Sequence, residues 1–335
     1  MAKEPKVKKE ARAKPAKVKK PKKESKSTGS MATLRKTMKP RYNSFKTSMK
    51  LILRNPLAVT GLLILIAIIA MAFMAPYLAP PVYQDPYQMP KDYEPPKPPG
   101  AEGHPFGTGK WGSDIYYGIV WGARLSILVA VYVVFCAAII GILVGALSGY
   151  MGGWFDEIVM RITDIFLSIP GLILSMAIVA VLSRNLENIM LSLIIVWWPP
   201  YARLVRGQVL SVKESTYVEA ARAVGVKKSR ILFRHIIPNS MAPMIVSITM
   251  DLGAVVLVAA ALSYIGFGVP PGTAEWGKMV SDGQEYFMST VEYNGELINP
   301  WWMVTIPGLA ILLFVMGFAL LGDALRDIMD PRARR

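Results

Sequence analysis

The chain has 335 residues, of which 53% are hydrophobic and 18% charged, and the apolar residues form long blocks with few charges. This pattern, with a mean hydropathy of +0.37, is typical of a polytopic membrane protein and argues against a soluble domain. The net charge of +15 lies mostly in one tail and in the loops of one membrane side. Membrane topology and attraction to lipid headgroups explain this positive charge, so we expect no nucleic-acid partner.

Cysteine and histidine give little sign of chemistry. Cys136 is the single cysteine, so no intrachain disulfide can form, and it lies in an apolar block. His104 and His235 are far apart and lack neighbours at metal-ligand spacing. We expect no metal site and no cofactor in this chain.

The amino-terminal residues 1–50 are read as a disordered, basic tail. Its first thirty residues are mostly Lys, Ala, Pro and Glu, which cannot bury enough apolar surface to offset the entropy of ordering. Such a tail is attracted to anionic lipid. A more ordinary sequence begins at Met31, so Met1 and Met31 both remain candidate start sites.

Six apolar blocks follow, and each approaches the roughly 20 residues that a helix needs to cross hydrocarbon. We therefore predict an all-α membrane protein with six transmembrane helices over residues 51–331. The blocks are Leu57 to Leu78, Leu125 to Tyr150, Ile158 to Leu182, Ile189 to Val205 (interrupted by Pro199 and Pro200), Pro243 to Phe267, and Met303 to Leu321.

The distribution of charge predicts the orientation. Lys and Arg outnumber acids by 19 to 3 before residue 55 and by 7 to 2 over residues 206–240, whereas acids lead by 5 to 1 over residues 263–302. Basic segments stay inside the cell. Both termini, including the tail 332–335, and the loop 213–239 are expected in the cytoplasm of a plasma-membrane protein, and the loops 80–121 and 268–302 outside.

The basic loop 213–239 has a helix–turn–helix pattern. Thr216 and Glu219 have capping-box spacing at the start of a helix of about two turns. Gly225 stands where a left-handed residue would end that helix. A second helical stretch, Val226 to Ile237, is expected to end at Pro238.

These residues resemble the EAA loop of ABC-importer permeases: EAA, three residues, Gly, nine residues, then a short motif ending in Pro. The resemblance implies a loop that docks on a cytoplasmic ATPase and carries its motion to the membrane helices. Where the family has Ile and Leu before the proline, this chain has His235 and Ile237. We assign this coupling role to Glu219, Ala220, Ala221, Arg222, Gly225, Arg234 and Pro238.

Other segments narrow the resemblance to the C-type permease of dipeptide and oligopeptide importers, a type I importer fold. They include HPFGTGKWGSDIYYGIVWGARLSILVA and ALSYIGFGVPPGTAEWG. Gly109 and Ser113 depart from the family's usual Asp and Arg. The family implies a second homologous permease, two ATPase subunits that bind ATP and Mg, and an extracellular solute-binding protein. The sequence GTGK at 107–110 fails the phosphate-loop pattern, because His104 and Trp111 occupy required positions.

Three further features concern the membrane interior. Asp251, within the fifth block, is costly in lipid and is a candidate residue of the translocation path, or else a packing carboxyl. Arg161 and Asp164 have the spacing of an ion pair. Gly141, Gly145 and Gly149 predict close helix contact, either within the chain or with a second permease.

The sequence thus predicts a non-enzymatic permease subunit of a peptide importer, forming half of the translocation path. Oligosaccharide or nickel remains open as substrate. The alternatives are a proton-coupled secondary transporter that uses Asp251 and a scaffold that acts through its basic tail.

Overall fold

The computed structural model describes residues 53–101 and 103–329. The predicted tails, residues 1–50 and 332–335, lie outside this part of the chain. The described residues are mainly helical, with one small hairpin. In chain order the elements are α1 (Pro56–Leu78), a 3₁₀ turn (Lys110–Gly112), α2 (Ile115–Met151), α3 (Gly153–Ser168), α4 (Gly171–Leu182), α5 (Leu186–Lys213), α6 (Thr216–Ala223), α7 (Lys228–Ile231), a π turn (Leu232–Ile236), α8 (Ile237–Ser240), α9 (Ala242–Leu262), a second π turn (Ser263–Phe267), α10 (Trp276–Phe287), β1 (Val291–Tyr293), β2 (Glu296–Ile298) and α11 (Trp302–Met329).

Five of these helices are long and apolar enough to cross a membrane within the described ranges: α1, α2, α5, α9 and α11. The third predicted crossing is not one continuous helix. It consists of α3 and α4, which meet at an angle of 89°. The break falls at Ile169, whose backbone is extended, because the following Pro170 disfavours helical geometry in the residue before it.

The bent pair is long and apolar enough to be counted as one broken span. Alone, α4 has 12 residues and a length of about 18 Å, too short for the hydrocarbon core. Both legs pack along α5: the Phe166 ring lies 5.6 Å from that of Trp198, and Gly171 lies against Val196. The described residues therefore hold five continuous spans, and with the bent pair counted as one they reach the six that the sequence predicts.

The fourth crossing is longer than the sequence predicts. Pro199 and Pro200 do not interrupt it, because α5 runs as one helix of 28 residues. A proline pair removes helical hydrogen bonds, but contacts with neighbouring helices make it tolerable in membrane spans. Pro199 is buried against such neighbours.

Two contacts of α5 settle pairings that the sequence left open or misassigned. Asp164 pairs with Arg203 of α5, and Arg161 lies 3.7 Å from Glu157, so the predicted Arg161–Asp164 pair is wrong. A Cβ added at Gly145 would stand 2.2 Å from the carbonyl oxygen of Ala202. The glycines of α2 therefore bring α2 against α5 of the same chain.

The buried side chains form two main clusters. One joins the first half of α2 to α1, α10 and α11. The other joins the second half of α2 to α5, α9 and the loop 213–239. We call the end of the bundle that carries this loop the basic end, and the end that carries α10 and the hairpin the opposite end.

Candidate functional site

The loop predicted to couple to an ATPase (residues 213–239, called the coupling loop after that prediction) is anchored to the bundle by buried apolar side chains. Val218 of α6, Ile231 of α7 and Ile236 of the π turn are each at most 1% exposed. They belong to the cluster that includes α2, α5 and α9. This side of the loop therefore packs directly against three helices that are long and apolar enough to cross a membrane.

The other side of the coupling loop exposes apolar residues to solvent. Tyr217, Val224 and Phe233 are 44%, 78% and 55% exposed. Val224 and Phe233 border an open concavity that also includes Lys227 and Arg230. Exposed apolar side chains with a basic rim are typical of a surface that another protein covers.

The residues assigned to coupling are mostly accessible to solvent. Glu219, Ala220, Arg222, Arg234 and Pro238 are exposed. The exception is Ala221, which is half-buried against the chain's own core. Val224 and Phe233 were missed by the sequence analysis, although both are large apolar residues in a basic loop.

Gly225 separates the two helical parts of the loop, as predicted. Its φ is +76°, a value that glycine adopts without strain. A Cβ placed there would meet no atom within 4 Å. Space for a side chain is available, so the backbone conformation, and not crowding, requires glycine at this position.

Two details of the predicted loop are wrong. Ser215, and not Thr216, stands at the N-cap of α6, and it makes no side-chain cap bond, because its hydroxyl instead donates to the Val212 carbonyl at 2.6 Å. Pro238 does not end the second helical piece. It lies in the first turn of α8, where its missing amide is tolerated.

The π turn Leu232–Ile236 makes this continuation possible. A proline in a regular helix clashes with the carbonyl four residues earlier, and here the wider π turn ends at Ile236, two residues before Pro238. Two carbonyls of the π turn also accept side-chain hydrogen bonds: Asn239 Nδ2 donates to His235 at 2.6 Å and the Ser240 hydroxyl to Ile236 at 3.0 Å. The coupling loop is thereby nearly continuous with α9.

Charged groups tie the helix ends together beside the coupling loop. Lys213 Nζ donates to the carbonyl of Tyr150 at 2.8 Å, at the end of α2. Asp156 of α3 accepts from Arg206 of α5 and from the hydroxyl of Ser148 of α2. The basic end is therefore a braced unit of three helices.

Asp251 lies in α9, away from the coupling loop. Its half-buried carboxyl faces Trp197 and Tyr201 of α5. The Tyr201 hydroxyl is buried and makes no hydrogen bond of regular geometry. This arrangement suits either the translocation path or interior packing, as the sequence analysis left open.

No cluster of three potential metal ligands occurs in the part of the chain that the structure describes.

Two family matches define the class of protein to which this helical fold belongs. Residues 141–335 match the family described as "Binding-protein-dependent transport system inner membrane component". Residues 45–96 match the "N-terminal TM domain of oligopeptide transport permease C". The chain belongs to the family of inner-membrane permeases of binding-protein-dependent transport systems.

Curated relatives cover most of the chain. The dipeptide transport system permease protein DppC of Alkalihalophilus pseudofirmus is 40% identical over 87% of this chain and 90% of its own length. The oligopeptide transport system permease protein OppC of Bacillus subtilis is 37% identical over 90% of this chain and 93% of its own length. Both are C-type permeases by name, in agreement with the resemblance seen in the sequence.

A solved structure shares the fold. The inward-facing MetNI methionine ABC transporter matches 64% of this chain and 97% of its own chain, with a TM-score of 0.50 and 21% sequence identity. The match supports the permease architecture of the helices.

Proposed function

We propose that this chain is the permease subunit of an ATP-driven importer and forms half of a translocation path for dipeptides and oligopeptides. A second, homologous permease supplies the other half, and an extracellular solute-binding protein delivers the substrate. ATP and Mg²⁺ are bound by two cytoplasmic ATPase subunits, so this chain itself is not an enzyme. Peptide as the substrate is supported by the names of the relatives DppC and OppC.

The observation that carries the proposal is the two-sided coupling loop. Val218, Ile231 and Ile236 fix one side in the core, while Val224 and Phe233 project from the other. A loop built in this way can receive a partner and pass its movement to α2, α5 and α9. ATP-dependent closure of the ATPases would then shift the helices between inward-open and outward-open states.

The excess of basic residues supports a cytoplasmic position for this loop and for both termini in a plasma-membrane protein. In this orientation the opposite end of the bundle, with α10 and the hairpin, faces the exterior. The solute-binding protein and the ATPases then bind opposite ends of the bundle.

The proposal is tested by co-purification. We expect the wild-type chain to co-isolate with its ATPase subunits in detergent, and Val224→Ser with Phe233→Ser to lower the ATPase recovered by about tenfold. Glu219→Lys should also impair coupling by reversing a charge on the exposed face. Leu297→Ser, at the opposite end and 73% exposed, is the matched control and should leave recovery unchanged.

The substrate is tested separately in proteoliposomes that contain the assembled importer. We expect uptake of labelled dipeptides and tripeptides and no uptake of oligosaccharides. Uptake of oligosaccharide alone would overturn the substrate while leaving the permease assignment intact.

A second candidate, a proton-coupled transporter, is favoured only by the interior position of Asp251 beside Tyr201. If no ATPase co-isolates, Glu219→Lys leaves uptake intact and Asp251→Asn abolishes proton-coupled flux, this candidate replaces the importer. The importer predicts uptake that depends on ATP in both wild type and Asp251→Asn.

A further inference from the structure

Three segments at the opposite end form a structured cap. We define the cap as residues 85–93, 109–113 and 272–274. The Met89 amide donates to the Gly272 carbonyl at 2.9 Å, the Ala274 amide to the Tyr87 carbonyl at 2.7 Å, and the Tyr93 amide to the Trp111 carbonyl at 3.0 Å. The cap is thus fixed by backbone hydrogen bonds between segments that are distant in sequence.

Two aromatic residues of the cap have strained backbones. Tyr93 has φ +62° and Trp111 has φ +60°, in the left-handed region that glycine and asparagine usually occupy. Their side chains are 78% and 37% exposed, so burial does not explain the aromatic ring of Tyr93, and the ring of Trp111 remains partly accessible. Two adjacent strained residues with exposed rings indicate a functional surface.

The cap lies around the first turns of α2, which project beyond the end of α1. Trp121 Nε1 donates to the carbonyl of Ala79, immediately after α1 ends. From that level α2 continues outward to Ile115, a further rise of about 9 Å. Residues 115–123 of α2 are buried or half-buried throughout, so protein, and not lipid, surrounds this projection.

The charges of the cap indicate the chemistry of its partner. Lys91 Nζ lies 4.7 Å from the centre of the Trp111 ring and Lys110 Nζ lies 5.3 Å from it. Lys110 is neutralised by Glu285 at 2.6 Å. Among the described residues Lys91 has no carboxylate partner. A partner that brings a carboxylate to Lys91 would complete the site.

We propose that Tyr93, Trp111 and Lys91 form a docking patch for the extracellular solute-binding protein. The partner supplies a carboxylate to Lys91 and apolar surface to the two rings. Tyrosine and tryptophan suit a reversible contact, because each offers a large contact area and a polar group that remains solvated in the free state. The inference rests on the proposed function, which provides this partner and places the cap outside the cell.

The test uses the full importer in nanodiscs and the solute-binding protein encoded beside this chain. Tyr93→Gly with Trp111→Gly removes both rings, and glycine adopts the left-handed backbone, so the cap is retained. We expect the Kd of the solute-binding protein to rise by about thirtyfold, with unchanged basal ATPase activity and yield of the complex. Equal affinity of wild type and double variant would overturn the patch.

Charge variants test the role of Lys91. Lys91→Glu should weaken docking, with the largest effect at low salt because surface charges are least screened there. Lys91→Arg should retain affinity. Equal affinities for Lys91→Glu and wild type at low salt would refute the proposed carboxylate contact.

Two controls separate the alternatives. Leu297→Ser changes an exposed residue of the hairpin at the same end and should leave docking intact; a loss there, with none in the cap variants, moves the contact to the hairpin. A fluorophore at Tyr93→Cys in a Cys136→Ser background should resist quenching by brominated lipids, whereas strong quenching would make the cap a membrane belt. If wild type fails to bind the solute-binding protein at all, the proposed function fails, and the patch fails with it.

Discussion

Arg206 holds Asp156 through two hydrogen bonds, from Nε to Oδ1 at 2.7 Å and from Nη2 to Oδ2 at 2.6 Å. The pair joins α5 to α3, and the Ser148 hydroxyl joins α2 to the same carboxylate. Because the coupling loop follows α5 directly, this bidentate contact connects the predicted ATPase-docking surface to the broken span. Loss of the Arg206–Asp156 pair should therefore loosen the packing of α2, α3 and α5 at the basic end.

Asp156→Ala should destabilise the protein by about 2–3 kcal/mol, because it leaves the half-buried Arg206 guanidinium without its partner. Thermal unfolding in detergent measures the loss as a lower Tm. Arg161→Ala is the control, since it breaks an ion pair in which both side chains are more than 70% exposed. We expect it to cost less than about 0.5 kcal/mol. Equal losses would show that the bidentate pair is not a brace.

Gly145→Ala should destabilise the α2–α5 contact by about 1–3 kcal/mol, because its Cβ would stand 2.2 Å from the Ala202 carbonyl oxygen. The added methyl group can be accommodated only if the two helices separate. Gly207→Ala in α5 is the control, since no atom lies within 4 Å of its Cβ, and it should be neutral or slightly stabilising. The Tm values of both variants in the same detergent test this difference. A Tm for Gly145→Ala equal to that of wild type would mean that the contact is loose.

Gly225→Val should reduce transport more than Gly225→Asn, because asparagine tolerates positive φ and a β-branched residue does not. The strain should cost about 1–2 kcal/mol in the valine variant. No neighbour would be displaced, so expression and membrane insertion should remain normal. The measurement is ATP-driven uptake per assembled complex. Equal uptake for the two variants would show that the turn does not require its left-handed residue.

The sequence predicts the spans well because apolar blocks and charge asymmetry are properties of the chain alone. It also predicts the conformation of Gly225, where a glycine follows a short helix. The angle at Ile169 could not be predicted, because a proline can bend, end or merely start a helix. For Pro238 the outcome depends on the π turn before it, which the sequence pattern does not reveal.

Burial in the coupling loop could be predicted only in part. Tyr217, Ala221 and Val224 share a face by helical spacing, yet Ala221 packs inward while Val224 is exposed. The core cluster, and not helical spacing, decides which side of α6 is anchored. The strained aromatics of the cap were likewise missed, because left-handed residues other than glycine carry no sequence signal.

Glu275 should make stability depend on pH. Its carboxylate caps α10, accepting from the amides of Gly277 at 2.9 Å and Lys278 at 2.7 Å, and burial raises its pKa above the ordinary value of 4.5. Above that ordinary value and up to the raised pKa, the folded state binds a proton more readily than the unfolded state. The free energy of unfolding should therefore fall as pH rises through this window.

Glu275→Gln should remove this part of the pH dependence, although it weakens one of the two hydrogen bonds that the side chain accepts at the start of α10. The measurement is Tm of wild type and variant at several pH values from 4.5 to neutrality, with the wild type losing more stability than the variant as pH rises. Glu292→Gln, which removes an exposed carboxylate from β1, controls for the change in net charge and should follow the wild type. A Glu275→Gln profile parallel to that of wild type would mean that the Glu275 carboxyl does not titrate in this range, and that its cap bonds to Gly277 and Lys278 outweigh the effect of burial.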